Sequence, residues 1–388
     1  MRAVGRAWME WVRTLYPGYF ASVMATGIVS VALLLSHALP LSLALWAIGG
    51  ALLVILTVIY ALRLLRFPHD MRRDLFDPAS AFGFFTFIAA VGVLATRSAL
   101  GGWMTVPGIL TIIAAIAWFM LTYWTFAMLL ITNDRPIQQA LNGSWLIAIV
   151  ATESLATTWA LVTNIQPGQR QALQLLAYSF WTFGVLLYLI FIALIMYRFF
   201  FLSVQPDDLK PPYWINMGAM AITTVAGIRL LDVAQPTTLI VTLRPYIEGF
   251  TVMMWAWGTW WIPLLLIIGV WKYGYAREPI RYHPSLWSVV FPLGMYATAV
   301  QLLTHIPGLE FLAAFGPACT WIAFGAWALV ALGWIWSAVV ATRQALRAER
   351  EAPFTRRAEV SGGAAPAGYA REQRDTEQSQ ASASGRNP

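Results

Sequence analysis

Apolar and polar positions divide this chain into long oily stretches parted by short polar ones. A bilayer-spanning helix needs roughly 20 apolar residues, more when tilted. Ten stretches approach or exceed that length, at about 17–35, 41–62, 80–95, 105–132, 144–163, 171–198, 214–234, 246–271, 286–304 and 312–343. They alternate in character. The odd-numbered ones are short and rich in glycine and hydroxyls, whereas the even ones are mostly longer and carry runs such as LLYLIFIALIM. Five repeats of a small-residue helix followed by an oily one predict an all-α integral membrane protein with inner and outer rings of helices.

Polar positions inside the odd spans recur at helical spacing. In YPGYFASVMATGIVSVALLL (16–35), Ser22, Thr26 and Ser30 stand four apart and share one face. The third span aligns Gly83, Thr86 and Ala90, and the fifth aligns Glu153, Thr157 and Ala160. The seventh aligns Asn216, Met220, Thr223 and Gly227, and the ninth Phe291, Gly294, Thr298 and Gln301, with Pro292 interrupting its hydrogen-bond ladder. For any single stripe the simpler explanation is close helix packing, each hydroxyl bonding back to its own helix. Five stripes on alternate helices predict instead a shared axis, where hydroxyl dipoles solvate a passing ion and Phe and Met side chains keep the conduit narrow.

Composition supports lipid as the solvent: 59% of residues are hydrophobic and only 11% charged, too few to cover a water-soluble surface. The formal charge of +7 raises the question of nucleic acid, but the distribution of charge answers it. Of 25 lysines and arginines, only Arg97, Arg170 and Arg244 fall on one side of the ten spans, Arg229 falls inside a span, and the rest share the side of both termini. That asymmetry predicts a multi-pass plasma-membrane protein with cytoplasmic N- and C-termini, membrane lipid as its surroundings and no nucleic-acid partner. Residues 1–14 then form a cytoplasmic segment, 15–343 the ten-helix transport domain, and 344–388, rich in Arg, Glu, Ser and Gln, a disordered cytoplasmic tail.

Ionised groups within spans are expensive and are normally paired or functional. Arg229 and Asp232 are three apart and Arg244 and Glu248 four apart, so each pair can neutralise itself on one helix face. Glu153 has no such neighbour. It is expected either to pair with Arg229 across the conduit or to take up a proton and couple it to an anion, while Arg229 can alternatively attract anions at a mouth.

PGYFASVMATGIVSVA (17–32), WLIAIVATESLA (145–156), YWINMGAMAITTVAG (213–227) and WSVVFPLGMYA (287–297) together resemble the tellurite-resistance/dicarboxylate transporter family, which includes malate permeases and slow anion channels. The resemblance covers about residues 15–343. It implies five helical hairpins in a quasi-fivefold arrangement around a central pore lined by the odd helices, usually in homotrimers. It also implies a phenylalanine on the ninth helix that occludes the pore, which matches Phe291 through its Phe-Pro pair. Glu153 departs from what a pure anion conduit favours.

Other classes fare worse. The four histidines form no paired ligand motif, the single cysteine excludes thiolate clusters, and no phosphate-binding loop occurs, so neither metal nor cofactor nor enzymatic activity is expected. The expected function is passage of small anions, inorganic or C4-dicarboxylate, along Ser22, Thr26, Ser30, Thr86, Thr157, Thr223 and Thr298, gated by Phe291. The alternative is a proton-coupled dicarboxylate or oxyanion carrier using Glu153.

Overall fold

The computed structural model describes residues 2–103, 105–279 and 282–361, and every regular element among them is a helix. Ten of these helices are apolar: α1 (Ala21–Leu35), α2 (Leu39–Arg66), α3 (Phe85–Leu100), α4 (Val106–Thr132), α5 (Ile147–Ile165), α6 (Arg170–Phe201), α7 (Ile215–Leu231), α8 (Thr238–Gly269), α9 (Trp287–Leu303) and α10 (Gly316–Ser361). Counted with the short turns that lead into α3, α5, α7 and α9, all but α1 are long and apolar enough to cross a membrane, and α1 is a shorter apolar helix. The chain is a helical integral membrane protein.

The helices divide into two populations by burial. In α3, α5, α7 and α9 with their lead-in turns, 72% to 94% of the most apolar stretch is buried; in α2, α4, α6, α8 and α10 the share is 6% to 44%. The odd helices contact one another in the cyclic order α1, α3, α5, α7, α9 and back to α1, and even helices pack outside them. Small residues allow this closeness. A Cβ on Gly218 would stand 2.9 Å from Pro292 Cγ, so α7 can lie against the proline of α9 only because residue 218 has no side chain.

Hairpin turns between odd and even helices are tight. His37 (φ 60°), Gly102 (φ 81°) and Gly308 (φ 89°) supply the left-handed residue that ends α1 and α3 and links α9 to α10. At the opposite end each odd helix begins with a short lead-in. For α3, α5, α7 and α9 this is a 3₁₀ turn, at Ala81–Phe84, Gly143–Leu146, Pro211–Trp214 and Pro284–Leu286.

Two boundaries differ from the hydropathy pattern in ways that matter. Helix α3 runs on to Leu100, which brings Arg97 inside the helix and buries it. Helix α8 starts at Thr238, because Arg244 and Glu248 close an ion pair of 3.0 Å and so let the charged segment stay helical.

By contacts the chain falls into two units, Trp11–Ser337 and a second made of Met1–Glu10 with Ala338–Pro388. The first is the helical body just described. In the second the described residues are helical: the start of the helix Arg2–Arg13, and the end of α10, which continues to Ser361. Of the tail expected at 344–388, residues 362–388 lie outside the described residues.

Candidate functional site

All five odd helices run in the same direction, so their first turns gather at one end of the ring. There they surround a vestibule of about 640 Å³, lined among others by Tyr16, Ser80, Ser144, Lys210, Lys272 and His283. Helix N-termini carry about half a positive charge each from aligned peptide dipoles, so five of them make this end attractive to anions. Their lead-in turns are pinned locally: the Asn142 side chain accepts from the Ser144 amide at 2.8 Å, and His283 Nδ1 accepts from the Ser285 amide at 3.1 Å. Burial, aided by the nearby Lys210 charge, holds the His283 imidazole below its ordinary pKa of 6.5. Burial likewise pushes the Tyr16 phenol up to about 12.

Further along the ring lies a second, small cavity of about 10 Å³, room for about one water. Every odd helix contributes to it: Ile28 and Val31 from α1, Val93 and Thr96 from α3, Ser154 and Thr157 from α5, Ile222, Val225 and Arg229 from α7, and Met295 and Thr298 from α9. Ser285 and Leu286, in the turn before α9, line the vestibule, and Met295 and Thr298 of α9 line the cavity. Phe291 falls between them, fully buried and one turn before Met295 on the same stripe.

The expected polar residues sort into three groups. Thr157 and Thr298 line the small cavity. Thr86 is buried on the stripe of Val93, two turns nearer the vestibule. The α1 stripe faces away from the cavity, toward the outer helices: Ser30 and Ser42 of α2 each donate to the other's carbonyl, and Thr26 Oγ1 accepts from Trp327 Nε1 of α10 at 3.0 Å. Ser22 donates to Tyr19 O on its own chain turn. Thr223 also points aside, with Oγ1 3.2 Å from Glu153. Even the cavity hydroxyls spend their protons on their own helices, Thr157 on Glu153 O, Thr298 on Gly294 O and Ser154 on Ala151 O. Back-bonding of this kind is the usual way a hydroxyl is accommodated within an apolar helix.

Glu153 lies off the cavity. Its carboxyl occupies the space that a side chain on Gly184 of α6 would take, with Oε2 lacking a hydrogen-bond partner among the described residues. It makes no ion pair with Arg229, whose nearest acid is Asp232 at 3.7 Å. The proposed pairing across the conduit is thus replaced by two separate arrangements, a carboxyl between α5, α6 and α7 and an arginine on the cavity wall.

Several buried cations escaped the hydropathy pattern, which uses basic residues only to orient spans. At the vestibule ends of α2, α6 and the segment after α8, Arg63, Arg198 and Lys272 are buried and tie into loop carbonyls. Arg63 donates to Arg13 O and pairs with Asp74 at 2.6 Å. Arg198 donates to Leu141 O and Tyr213 Oη and pairs with Asp208. Lys272 Nζ donates to Pro206 O and Leu209 O, each at 3.0 Å. At the other end, Arg97 Nε bonds to the Ser30 and Ser42 hydroxyls, with no acid paired to it among the described residues and Nη2 unpartnered. The visible signal was its distance from Gly101, since a helix that lasts until its terminating glycine must include residue 97.

A family model described as the voltage-dependent anion channel matches residues 14–335. The chain belongs to the voltage-dependent anion channel family. This bears out the grouping that the motifs pointed to and places the protein in anion transport across membranes. An uncharacterized transporter of Methanocaldococcus jannaschii is 26% identical over 332 residues, 83% of this chain and 92% of that protein. A second transporter of the same organism is 25% identical over 329 residues, 82% of this chain and 93% of its own length. An uncharacterized membrane protein of Mycobacterium tuberculosis is 40% identical over 140 residues, 35% of this chain and 69% of that protein.

Proposed function

We propose that the inner ring encloses the pathway of a small anion, inorganic or C4-dicarboxylate, and that the structure is its closed state, with Phe291 as the plug. The observation that supports this reading is the pair of spaces, one lined by the segments that lead into the five odd helices and the other by all five helices themselves, with the buried Phe291 between the two sets of lining residues in the chain order of α9 and its lead-in. An apolar constriction closes a pore by excluding water, without any charged gate. On this reading Thr86, Thr157 and Thr298 turn their hydroxyls to an arriving anion, and Ser22, Thr26, Ser30 and Thr223 hold the helices that carry them. The vestibule faces the cytoplasm, as the distribution of basic residues requires, and the termini lie on that side of the plasma membrane. The protein assembles as a homotrimer through its outer helices, which crosslinking in native membranes tests.

The test of the plug is anion flux through purified protein in liposomes at clamped voltage. Phe291→Ala raises chloride or nitrate conductance roughly tenfold or more, the effect of removing about 1.4 kcal/mol of barrier. Unchanged flux in a variant that folds and inserts rejects the plug.

A second reading has one observation in its favour: the buried carboxyl of Glu153, with one oxygen unbonded and no ion pair among the described residues. A carrier that couples protons to an anion needs such a group. Because Glu153 stands off the cavity, a proton there acts through the packing of α5, α6 and α7 and not through contact with the anion. Glu153→Gln separates the readings, for a channel keeps its flux and a coupled carrier loses its response to a proton gradient.

A further inference from the structure

Glu153 is the one charged residue of α5, and it is fully buried. Its Oε1 stands 3.2 Å from Thr223 Oγ1 of α7, and Oε2 has no hydrogen-bond partner among the described residues. Thr223 Oγ1 lies closer, at 2.9 Å, to Ala219 O one turn back on its own helix. A hydroxyl has a single proton to give and two lone pairs with which to accept. A carbonyl only accepts, so the threonine proton goes to Ala219 O, the shorter contact, and Oγ1 is left to accept from Glu153. The carboxyl then supplies the proton between them. Length points the same way. A hydroxyl that donates to an ionised carboxylate closes to about 2.5–2.7 Å, well short of the distance found here.

We propose that Glu153 is a proton-binding site: it stands in this structure as a neutral carboxylic acid whose O–H donates to Thr223 Oγ1 and so ties α5 to α7. The site lies outside the anion pathway and deepens the second reading above, on which only the use of its proton in transport rests.

The surroundings fit the uncharged form. A Cβ on Gly184 of α6 would stand 2.7 Å from the carboxyl carbon, so the backbone of α6 lies directly against the group. Trp181, one turn earlier on α6, gives its Nε1 proton to Thr223 O at 3.1 Å and not to the carboxyl. A carboxylate in an apolar interior with one long contact is far costlier than the acid, which needs a single acceptor for its proton. Loss of that proton leaves a negative charge facing Gly184, and Thr223 can serve it only by turning its own proton away from Ala219 O. The bound proton therefore holds α5, α6 and α7 in this packing, and its release loosens them.

No neighbouring charge takes the place of the proton. Of the helices packed against α5, α4 carries no charged residue. Arg97 of α3 bonds to Ser30 and Ser42, Arg170 and Arg198 of α6 bond to Gln235 and Asp208, and Arg229 of α7 pairs with Asp232. Tyr188, one turn along α6 from Gly184, accepts from Trp257 Nε1 at 2.8 Å and lies 3.1 Å from Met220 Sδ.

The test is infrared spectroscopy of the purified full chain in liposomes at neutral pH. Glu153→Gln keeps a donor for Thr223 and leaves every other acid as it was, so the difference between wild type and this variant isolates the one carboxyl. That difference is expected to show the carbonyl band of a protonated carboxylic acid, lost in the variant. Thr223→Val removes the acceptor and moves the band to higher frequency, whereas Thr223→Ser leaves it in place. Carboxylate stretching bands in place of the acid band overturn the proposal, and so does an acid band that Thr223→Val fails to move. Should Glu153→Gln fail to insert, the difference between wild type and Thr223→Val reads the same carboxyl, as a shifted acid band or as none. Anion flux driven by a proton gradient, measured on the same liposomes, separates the site from its use. An acid band together with flux that ignores the gradient dismisses the second reading and leaves the proton site standing.

Discussion

At the vestibule end the five inner helices begin; at the Arg229 end they stop. Parallel helices make these ends electrostatically unequal, because unpaired amides at their starts give positive potential and unpaired carbonyls at their ends give negative. The cations are disposed accordingly. Near the vestibule Arg63, Arg198 and Lys272 are spent on carbonyls and acids, with only Arg198 Nε left unbonded. At the far end Arg97 and Arg229 together keep three guanidinium nitrogens without partners. Backbone dipoles attract anions at the wide end, leaving its lysine and arginines free to fasten loops. At the narrow end the dipoles oppose an anion, and the guanidinium groups of Arg97 and Arg229 set positive charge against them.

The strongest way to break the comparison is to unfasten the vestibule. A Cβ on Gly143 would stand 2.5 Å from Pro212 C and Tyr213 N, backbone atoms that cannot rotate away. Gly143→Ala must part the lead-in turns of α5 and α7. The expected cost is about 3 kcal/mol or more, at the upper end of overpacking penalties, seen as a lower unfolding temperature followed by tryptophan fluorescence. A melting temperature equal to that of the wild type would show that these turns do not hold the ring.

Next in size is a matched pair of substitutions. Lys272→Met takes the side-chain donor from the buried Leu209 carbonyl, while Pro206 O keeps its bond from the Leu209 amide, and costs about 1 to 3 kcal/mol. Arg97→Met leaves Ser30 and Ser42 still bonded to each other and costs under about 1 kcal/mol, since exchanging a buried charge for an apolar chain is often neutral. Denaturation in detergent measures both. Equal losses would erase the distinction between fastening cations and unspent ones.

Hydropathy and charge pattern made the fold legible to the level of ten apolar helices in two populations, because lipid imposes length and polarity on each span separately. The family motifs added Phe291, and helical spacing put it on the stripe of Gly294, Thr298 and Gln301. What spacing could not supply was direction. Ser22, Thr26 and Ser30 share a face, but only packing decides whether that face meets the axis or the outer helices, and Trp327 and Ser42 draw it outward. Glu153 is off the cavity for a similar reason: Gly184, on the neighbouring helix, leaves the gap that its carboxyl fills. The contact of His305 with Asp232 was invisible for the same reason, since 73 positions separate the two in sequence.

The smallest expected effect concerns a parallel within the vestibule itself. Asn142 and His283 do the same task for α5 and α9, each accepting the amide two residues on. The histidine can do so only while Nδ1 is unprotonated. Its pKa is lowered by burial first and by Lys210 second, so the unfolded chain takes up a proton before the folded one does. His283 thus contributes stability that is fully present above the ordinary value of 6.5 and is lost as pH falls through the depressed folded value. Unfolding temperature measured against pH reads this as a downward step on acidification. His283→Asn copies the Asn142 cap without a titrating group, and the step is expected to shrink in that variant while stability at neutral pH is retained. Lys210→Met removes the second cause only, so the step persists and moves toward higher pH. A step that stays at its original pH would mean that burial alone sets it, and that the vestibule lysine, unlike Arg229 at the other end, exerts no field on its neighbours.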